Sequence, residues 1–297
     1  MFSIIPGLRH LGTLLNTFLP VLRGGKCHHH HTRPNFSEGL QSHYVLNSGD
    51  KIPSVALGLW KTKHREVGQA VKTALDAGYR HIDCARIYCN EAEVGKALKE
   101  SNVPRKDFWI TSKLWNASHA PEDVESSLDE SLADLGTDYL DLYLIHWPVA
   151  MKKDGTYYHK ELTANPYPTW QQLEEMVVKG KVRNIGVSNF NLRKIHNLTA
   201  NPLKIQPAVN QVEINYFFPQ PELLQWSKES GVLLEAYSPL GSDRRVSRSL
   251  NLPVVKEIAQ ELDMTPAQVI ISWHVQRGTI ALPKSVTPSR IVENIHC

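Results

Sequence analysis

The sequence predicts an α/β fold, a (β/α)8 TIM barrel preceded by an N-terminal β-hairpin, on three observations. Eight short segments recur from Val55 onward, each apolar on both faces, as strands buried between an interior and a covering layer must be. Each returns through a stretch of helical periodicity, the alternation that builds a parallel sheet. No GxGxxG follows any early strand, so the phosphate loop of a doubly wound dinucleotide fold, the competing architecture, is absent.

Taken in order, HYVLN, SGD and KIPSV read as two short strands around a glycine turn, starting near His43, which is a hairpin. Val55 to Trp60 is the first barrel strand, and a helix from His64 to Ala77 stops at Gly78, the residue type that closes helices. Tyr79 to Cys84 is the second strand, followed by a helix from Asn90 to Glu100 with Glu91 and Glu93 in its first turn. Phe108 to Trp115 is the third strand, and Pro121 opens a helix to Leu135 at a position where a missing N–H costs nothing. Leu140 to His146 is the fourth strand; a polar loop leads to a helix over Thr169 to Lys179. Strands at Val182–Phe190, Pro207–Asn215 and Val232–Gly241 alternate with helices at Leu192–Thr199 and Gln220–Ser230. A polar loop with Asp243, Arg244, Arg245 and Arg248 precedes helices at Pro253–Leu262 and Pro266–Gln276, the last strand Thr279–Ser285, and a last helix Pro288–Ile295.

Composition narrows the partners. The 297 residues carry a net charge of +3, yet residues 1–40 alone hold four basic side chains and one acid, leaving 29 of each sign in the remainder. A neutral body without a basic stripe offers no footprint for nucleic acid, and no apolar run reaches the ~18 residues of a membrane span. Cys27, Cys84, Cys89 and Cys297 contain no CxxC pair, which fits a reduced compartment. Residues 1–42 read as an N-terminal extension, disordered or targeting, because the acid-poor, Arg-bearing start resembles a transit peptide but has no clear cleavage site. The expected location is cytoplasmic, or mitochondrial if residues 1–40 act as a transit peptide. His28 to His31 could ligate a metal, but with no second ligand cluster nearby they read as a solvated tail, and no metal site is expected.

In a barrel the C-terminal ends of the strands converge on one mouth. Asp83 ends the second strand, Tyr88 follows in its loop, Lys113 ends the third and His146 the fourth. Strands about 4.8 Å apart bring these side chains within reach of one another. Lys113 sits in an apolar strand, and a buried ammonium needs a partner; Asp83 can supply it. A positive Lys113 beside Tyr88 is expected to lower the phenol below its usual pKa of about 10 and make it an acid usable near neutral pH, with His146 donating to a carbonyl oxygen. An Asp–Lys pair that only ties two strands together is the alternative.

The blocks GYRHIDCARIYCNEAEVG (78 to 95), ITSKLW (110 to 115), LIHWP (144 to 148), IGVSNF (185 to 190), AVNQVE (208 to 213), AYSPLGS (236 to 242) and LPKSVTPSRIVEN (282 to 294) resemble the aldo-keto reductase family, in the family's order. The resemblance covers residues 43–297 and implies an NADP-dependent oxidoreductase barrel: hydride passes from NADPH to an aldehyde or ketone, or back from an alditol or glycerol. Tyr88 would be the proton donor, Lys113 and Asp83 would tune it, and His146 would orient the carbonyl. It also implies that Tyr237 stacks on the nicotinamide while Ser188, Asn189 and Gln211 bond its carboxamide. Ser238, Leu240 and Ser242 match the pyrophosphate loop, Lys284 and Ser285 after Pro283, with Arg290, the 2′-phosphate site, and Glu293 and Asn294 the adenine end. Trp60 and Trp115 match substrate-pocket aromatics, alongside His146. The segment DRRVSRSL departs from the family pattern, and family members generally continue past the last helix into a loop that walls the substrate pocket, so the barrel reads as truncated there. The expected partner is a small carbonyl or alcohol substrate, with the chain a monomer. The rival function is a non-catalytic NADP-binding barrel serving as a regulatory or interaction subunit.

Overall fold

The computed structural model describes residues 40–154, 157–242 and 244–297. The extension expected before residue 40, with its histidine run, lies outside them.

A hairpin comes first, with β1 (His43–Val45) antiparallel to β2 (Lys51–Pro53). The barrel follows: β3 (Leu57–Gly58), α1 (His64–Asp76), β4 (His81–Asp83), α2 (Glu91–Glu100), β5 (Trp109–Leu114), α3 (Pro121–Leu135) and β6 (Leu140–Ile145). Two helices, α4 (Lys160–Ala164) and α5 (Tyr167–Val178), precede β7 (Val182–Ser188); then come α6 (Leu192–Thr199), β8 (Val209–Glu213), α7 (Pro221–Ser230) and β9 (Leu233–Tyr237). The chain continues through α8 (Arg244–Leu250), α9 (Pro253–Leu262), α10 (Pro266–Gln276), β10 (Thr279–Leu282) and α11 (Pro288–Ile295).

Strands β3 to β10 form one eight-stranded sheet in sequence order, all pairs parallel. A parallel bridge between Val55 and Ala281 joins its two edges, with Gly58 N donating to Pro283 O at 3.0 Å. The expected barrel is present, and its interior is as apolar as the sequence demands: every residue of β5 and β6 is buried.

The hairpin covers the end opposite the strand C-termini. Asn47 Nδ2 donates to Pro207 O, just before β8, at 2.9 Å, and Asn184 Nδ2, early in β7, donates to Asp50 at 2.7 Å. That leaves the C-terminal mouth as the open face, where barrel chemistry is done.

Two expectations about elements need correction. The arginine-containing stretch after Gly241 is not all loop, since α8 begins at Arg244. Three closely spaced arginines in a short segment read as solvated loop, but Leu250 and Phe217 give it something to pack on: Leu250 joins the small cluster of α9 and α10, and Arg248 lies 5.0 Å over the Phe217 ring. The loop after β6 likewise holds the short helix α4, capped by His159, whose Nδ1 accepts from Leu162 N at 3.5 Å. Among the described residues no helix is long and apolar enough to cross a membrane.

Candidate active site

Strand register decides which side chains meet. Asp83 is the last residue of β4, Lys113 the last but one of β5, and His146 follows β6 directly. Lys113 is wholly buried and Asp83 nearly so. Its Nζ lies 2.8 Å from each carboxylate oxygen of Asp83, 2.8 Å from Cys84 O and 3.4 Å from the Tyr88 hydroxyl. An ammonium has three hydrogens, and here carboxylate, carbonyl and phenol oxygen receive them. Burial alone would lower the Lys113 pKa, but Asp83 and Tyr88 beside it carry it above the ordinary lysine value.

Tyr88 sits on a single 3-10 turn, Arg86–Tyr88, which Cys89 ends at φ 54° in the left-handed region. Two buried side chains of the following residues pin this loop. Asn90 Nδ2 donates to Thr62 O at 3.2 Å, and the Glu91 carboxylate accepts from Ser112 of β5 at 2.5 Å and Ser131 of α3 at 2.8 Å. Ser112 precedes Lys113, so the Tyr88 loop and its ammonium partner are tied to the same strand.

The expected lowering of the Tyr88 pKa is not what this geometry produces. Removal from water pushes the phenol up to about 12; the Lys113 charge pulls it down but does not cancel burial, and Asp83 opposes Lys113. Dehydration of a neutral acid outweighs one cation whose own field is compensated by a carboxylate 2.8 Å away.

His146 packs edge-on to Tyr88 (5.9 Å between centroids) and to Trp115 (5.4 Å). Burial, with Lys113 and His119 nearby, pushes it down to about 3, so the ring is neutral at pH 7. Its Nδ1 is buried without a hydrogen-bond partner among the described residues. Trp115 is partly buried, whereas Trp60 is exposed, at 50%, and holds Lys61 over its ring at 4.3 Å. Among the predicted pocket aromatics only Trp115 touches His146.

On the far side of the mouth, Ser188 ends β7, Gln211 lies opposite it on β8, and Tyr237 ends β9. Ser188 Oγ donates to Gln211 O at 2.8 Å. Asn189, at φ 63°, donates to His146 O at 2.9 Å and accepts from the Tyr237 hydroxyl at 2.8 Å. Gln211 Nε2 donates to Asp83 Oδ1 at 2.8 Å and Glu235 Oε2 at 2.7 Å. A cleft of about 400 Å3 opens here, lined by Asn189 and Tyr237 together with Trp147, Phe190, Val212 and Phe218. Ser238, Leu240 and Ser242 form the turn after β9, with Ser238 at φ 48° and Gly241 N donating to Ser238 O.

Beyond β10, Pro283 is buried while Lys284 and Arg290 are exposed and pair with no carboxylate among the described residues. Ser285 Oγ accepts from Thr287 N at 3.1 Å, at the start of α11. Two cations beside a helix N-terminus suit a phosphate. Glu293 is committed elsewhere: its carboxylate accepts from Thr265 Oγ1 at 2.6 Å, inside the capping box of α10. Asn294 is buried.

Sequence reasoning missed Trp147, Phe218 and above all Glu235, a buried carboxyl in the centre of the site. The signal was there. Glu235 interrupts the apolar run LLEAY just as Lys113 interrupts ITSKLW.

The model of the Aldo/keto reductase family matches residues 54–297. Aldo-keto reductase family 1 member A1 of Homo sapiens is 45% identical over 271 residues, covering 84% of this chain and 82% of its own. Glycerol 2-dehydrogenase (NADP(+)) of Saccharomyces cerevisiae is 45% identical over 265 residues, 84% of each chain. Among solved structures, the aldose reductase from Schistosoma japonicum superposes with a TM-score of 0.79 at 41% identity, covering 86% of each chain.

Proposed function

The chain belongs to the aldo/keto reductase family, and from that premise we propose that it reduces aldehydes or ketones to alcohols with NADPH, and oxidises alditols or glycerol in reverse. The observation that carries the reading is Lys113 Nζ, which donates to both Asp83 and the Tyr88 hydroxyl oxygen. Because the ammonium occupies a lone pair of the phenol, the phenol's own hydrogen is left to be given away.

The residues present fit a nicotinamide cofactor. Tyr237 offers an aromatic face, Ser188, Asn189 and Gln211 offer amide-matching polar groups, and Lys284, Ser285 and Arg290 offer a phosphate site. When bound, NADPH supplies the hydride to the carbonyl carbon. Tyr88 gives its proton to the carbonyl oxygen. A pKa near 12 serves this purpose, since an alkoxide is the base of an alcohol, about as weakly acidic as water and a weaker acid than this phenol, and the transfer runs downhill. Neutral His146 hydrogen-bonds the carbonyl and fixes its direction. Lys113 stabilises the phenolate left behind, and Asp83 keeps Lys113 charged in a dry site. Trp115 and Trp60 flank the substrate, Pro283 seats the Lys284–Ser285 turn, and the chain acts as a monomer in the cytoplasm.

The test is NADPH consumption against a panel of aldehydes, ketones, sugars and polyols. Turnover of any member above the background rate supports the reading; a protein that binds NADPH and turns over none contradicts it.

A further inference from the structure

Glu235 lies in the middle of β9, wholly buried. Burial of a carboxyl is costly without compensation, and this one sits beside another. Its Oε2 takes one hydrogen of Gln211 Nε2, and Asp83 Oδ1 takes the other. Its Oε1 has no hydrogen-bond partner among the described residues and stands 3.8 Å from His81 Nε2. His81 does not answer it: that ring is held near neutrality by burial and meets Thr111 Oγ1 at 3.0 Å. The charged and titratable groups facing Glu235 are therefore Asp83 and His81 from β4 and Lys113 from β5; its β10 neighbour is Ile280.

A primary amide has two hydrogens and one acceptor oxygen. Both hydrogens of Gln211 are committed, each to a different carboxyl group on a different strand, which leaves its oxygen as the group free to meet a ligand. The two anchors set its orientation: a 180° flip would turn its oxygen against the Asp83 carboxylate and take the amide hydrogen away from Glu235 Oε2. Asp83 alone would hold one hydrogen and leave the other unpaired in a buried site. Glu235 supplies the second anchor.

We propose that Glu235 is a positioning residue of the nicotinamide site: it locks Gln211 with its oxygen outward, so that the site requires an amino group on the ring's carboxamide. The inference rests on the reductase reading and on Gln211 meeting the cofactor. A cofactor whose carboxamide is replaced by a methyl ketone keeps the carbonyl but has no amino hydrogen to offer, and Gln211 is then left facing it unpaired.

The experiment compares binding of NADP+ and its 3-acetylpyridine analogue by quenching of protein fluorescence, for the full chain and for Glu235→Gln and Glu235→Val. The unsubstituted protein is expected to prefer NADP+ by about tenfold, one hydrogen bond's worth. Glu235→Gln, whose amide oxygen still accepts from Gln211, keeps that preference. Glu235→Val leaves Gln211 held by Asp83 alone, loosens the amide and reduces the preference to about twofold or less. A Glu235→Val protein with a cooperative melt and an unchanged tenfold ratio overturns the proposal, as does equal binding of both nucleotides by the unsubstituted chain, which leaves the reductase reading standing. Failure to bind either nucleotide overturns both. Should Glu235→Val not fold, Glu235→Thr, too short to reach Gln211, carries the same expectation.

Discussion

Lys113 Nζ stands 2.8 Å from both carboxylate oxygens of Asp83, in a place where the lysine has no exposed surface at all. Each charge is tolerable there only because of the other. Removing one partner of such a pair strands the other, at a cost of about 3–5 kcal/mol. Asp83→Asn is therefore expected to lower the unfolding free energy measured in urea by that amount and to reduce turnover as well, since Lys113 loses the group that keeps it charged. A variant of native stability would contradict the pairing.

The exposed cations after β10 should matter for one cofactor only. Two charge-assisted bonds at ~1.5 kcal/mol each amount to about a hundredfold in affinity. Lys284→Ala combined with Arg290→Ala is expected to weaken NADPH by about that factor and NADH by less than about threefold. Equal losses for both nucleotides would remove the phosphate site from the account.

Acid should unfold this chain through its histidines. Burial pushes His81, His146 and His274 down to about 3 and His119 to about 4. All four are neutral in the folded chain at pH 5 and charged once unfolded, so the unfolded state binds more protons and stability falls as pH drops from about 6.5 toward 4. Glu235 acts in the opposite sense. Burial, with Asp83 adjacent, raises it to about 8, so its contribution is lost as pH rises from about 4.5 through 8. Near pH 5 the net difference is roughly three protons, a slope of about 4 kcal/mol per pH unit. Unfolding free energies from urea melts between pH 4 and 8.5 check this; Glu235→Gln should flatten the alkaline side and steepen the slope near pH 5 by about one proton's worth. An acid side without slope would contradict the burial of neutral imidazoles.

Much of this was legible because barrel strands announce themselves. Helices at Pro121–Leu135, Leu192–Thr199, Pro253–Leu262, Pro266–Gln276 and Pro288–Ile295 begin and end where proline, apolar period and breakers put them. Strands were read too long. Tyr79–Cys84 became His81–Asp83, because apolar residues continue past the last ladder bond into the packed turns. The polar ends of successive strands, Asp83, Lys113 and His146, were recoverable since register in a parallel barrel is set by strand order. Glu235 was not recovered although it interrupts LLEAY as Lys113 interrupts ITSKLW, because its role depends on Gln211 of β8 and Asp83 of β4, which spacing along one strand does not bring to it. The Tyr88 pKa was misjudged for a similar reason, as proximity of a cation can be read from spacing and desolvation cannot.

Gly95 offers a test of the scaffold beneath the site. A Cβ there would meet Asp134 O and lie 2.6 Å from Leu135 C, backbone atoms of α3 that cannot swing aside. Gly95→Ala is expected to cost about 1–3 kcal/mol through overpacking. It should also loosen α2, whose Glu91 pins the Tyr88 loop, and so lower turnover more than NADPH affinity. A thermal midpoint equal to that of the unsubstituted chain would contradict the close approach of α2 and α3.

The central claim is that Tyr88 gives the proton, and one comparison tests it most directly. With NADPH saturating and an accepted aldehyde mixed in, single-turnover oxidation of the cofactor is followed for the unsubstituted chain and for Tyr88→Phe, which keeps the ring beside His146 and removes only the hydroxyl. The expected result is a loss of about 10²–10⁴-fold in rate with the NADPH dissociation constant within about twofold. A Tyr88→Phe chain that reduces the aldehyde within tenfold of the unsubstituted rate would contradict it.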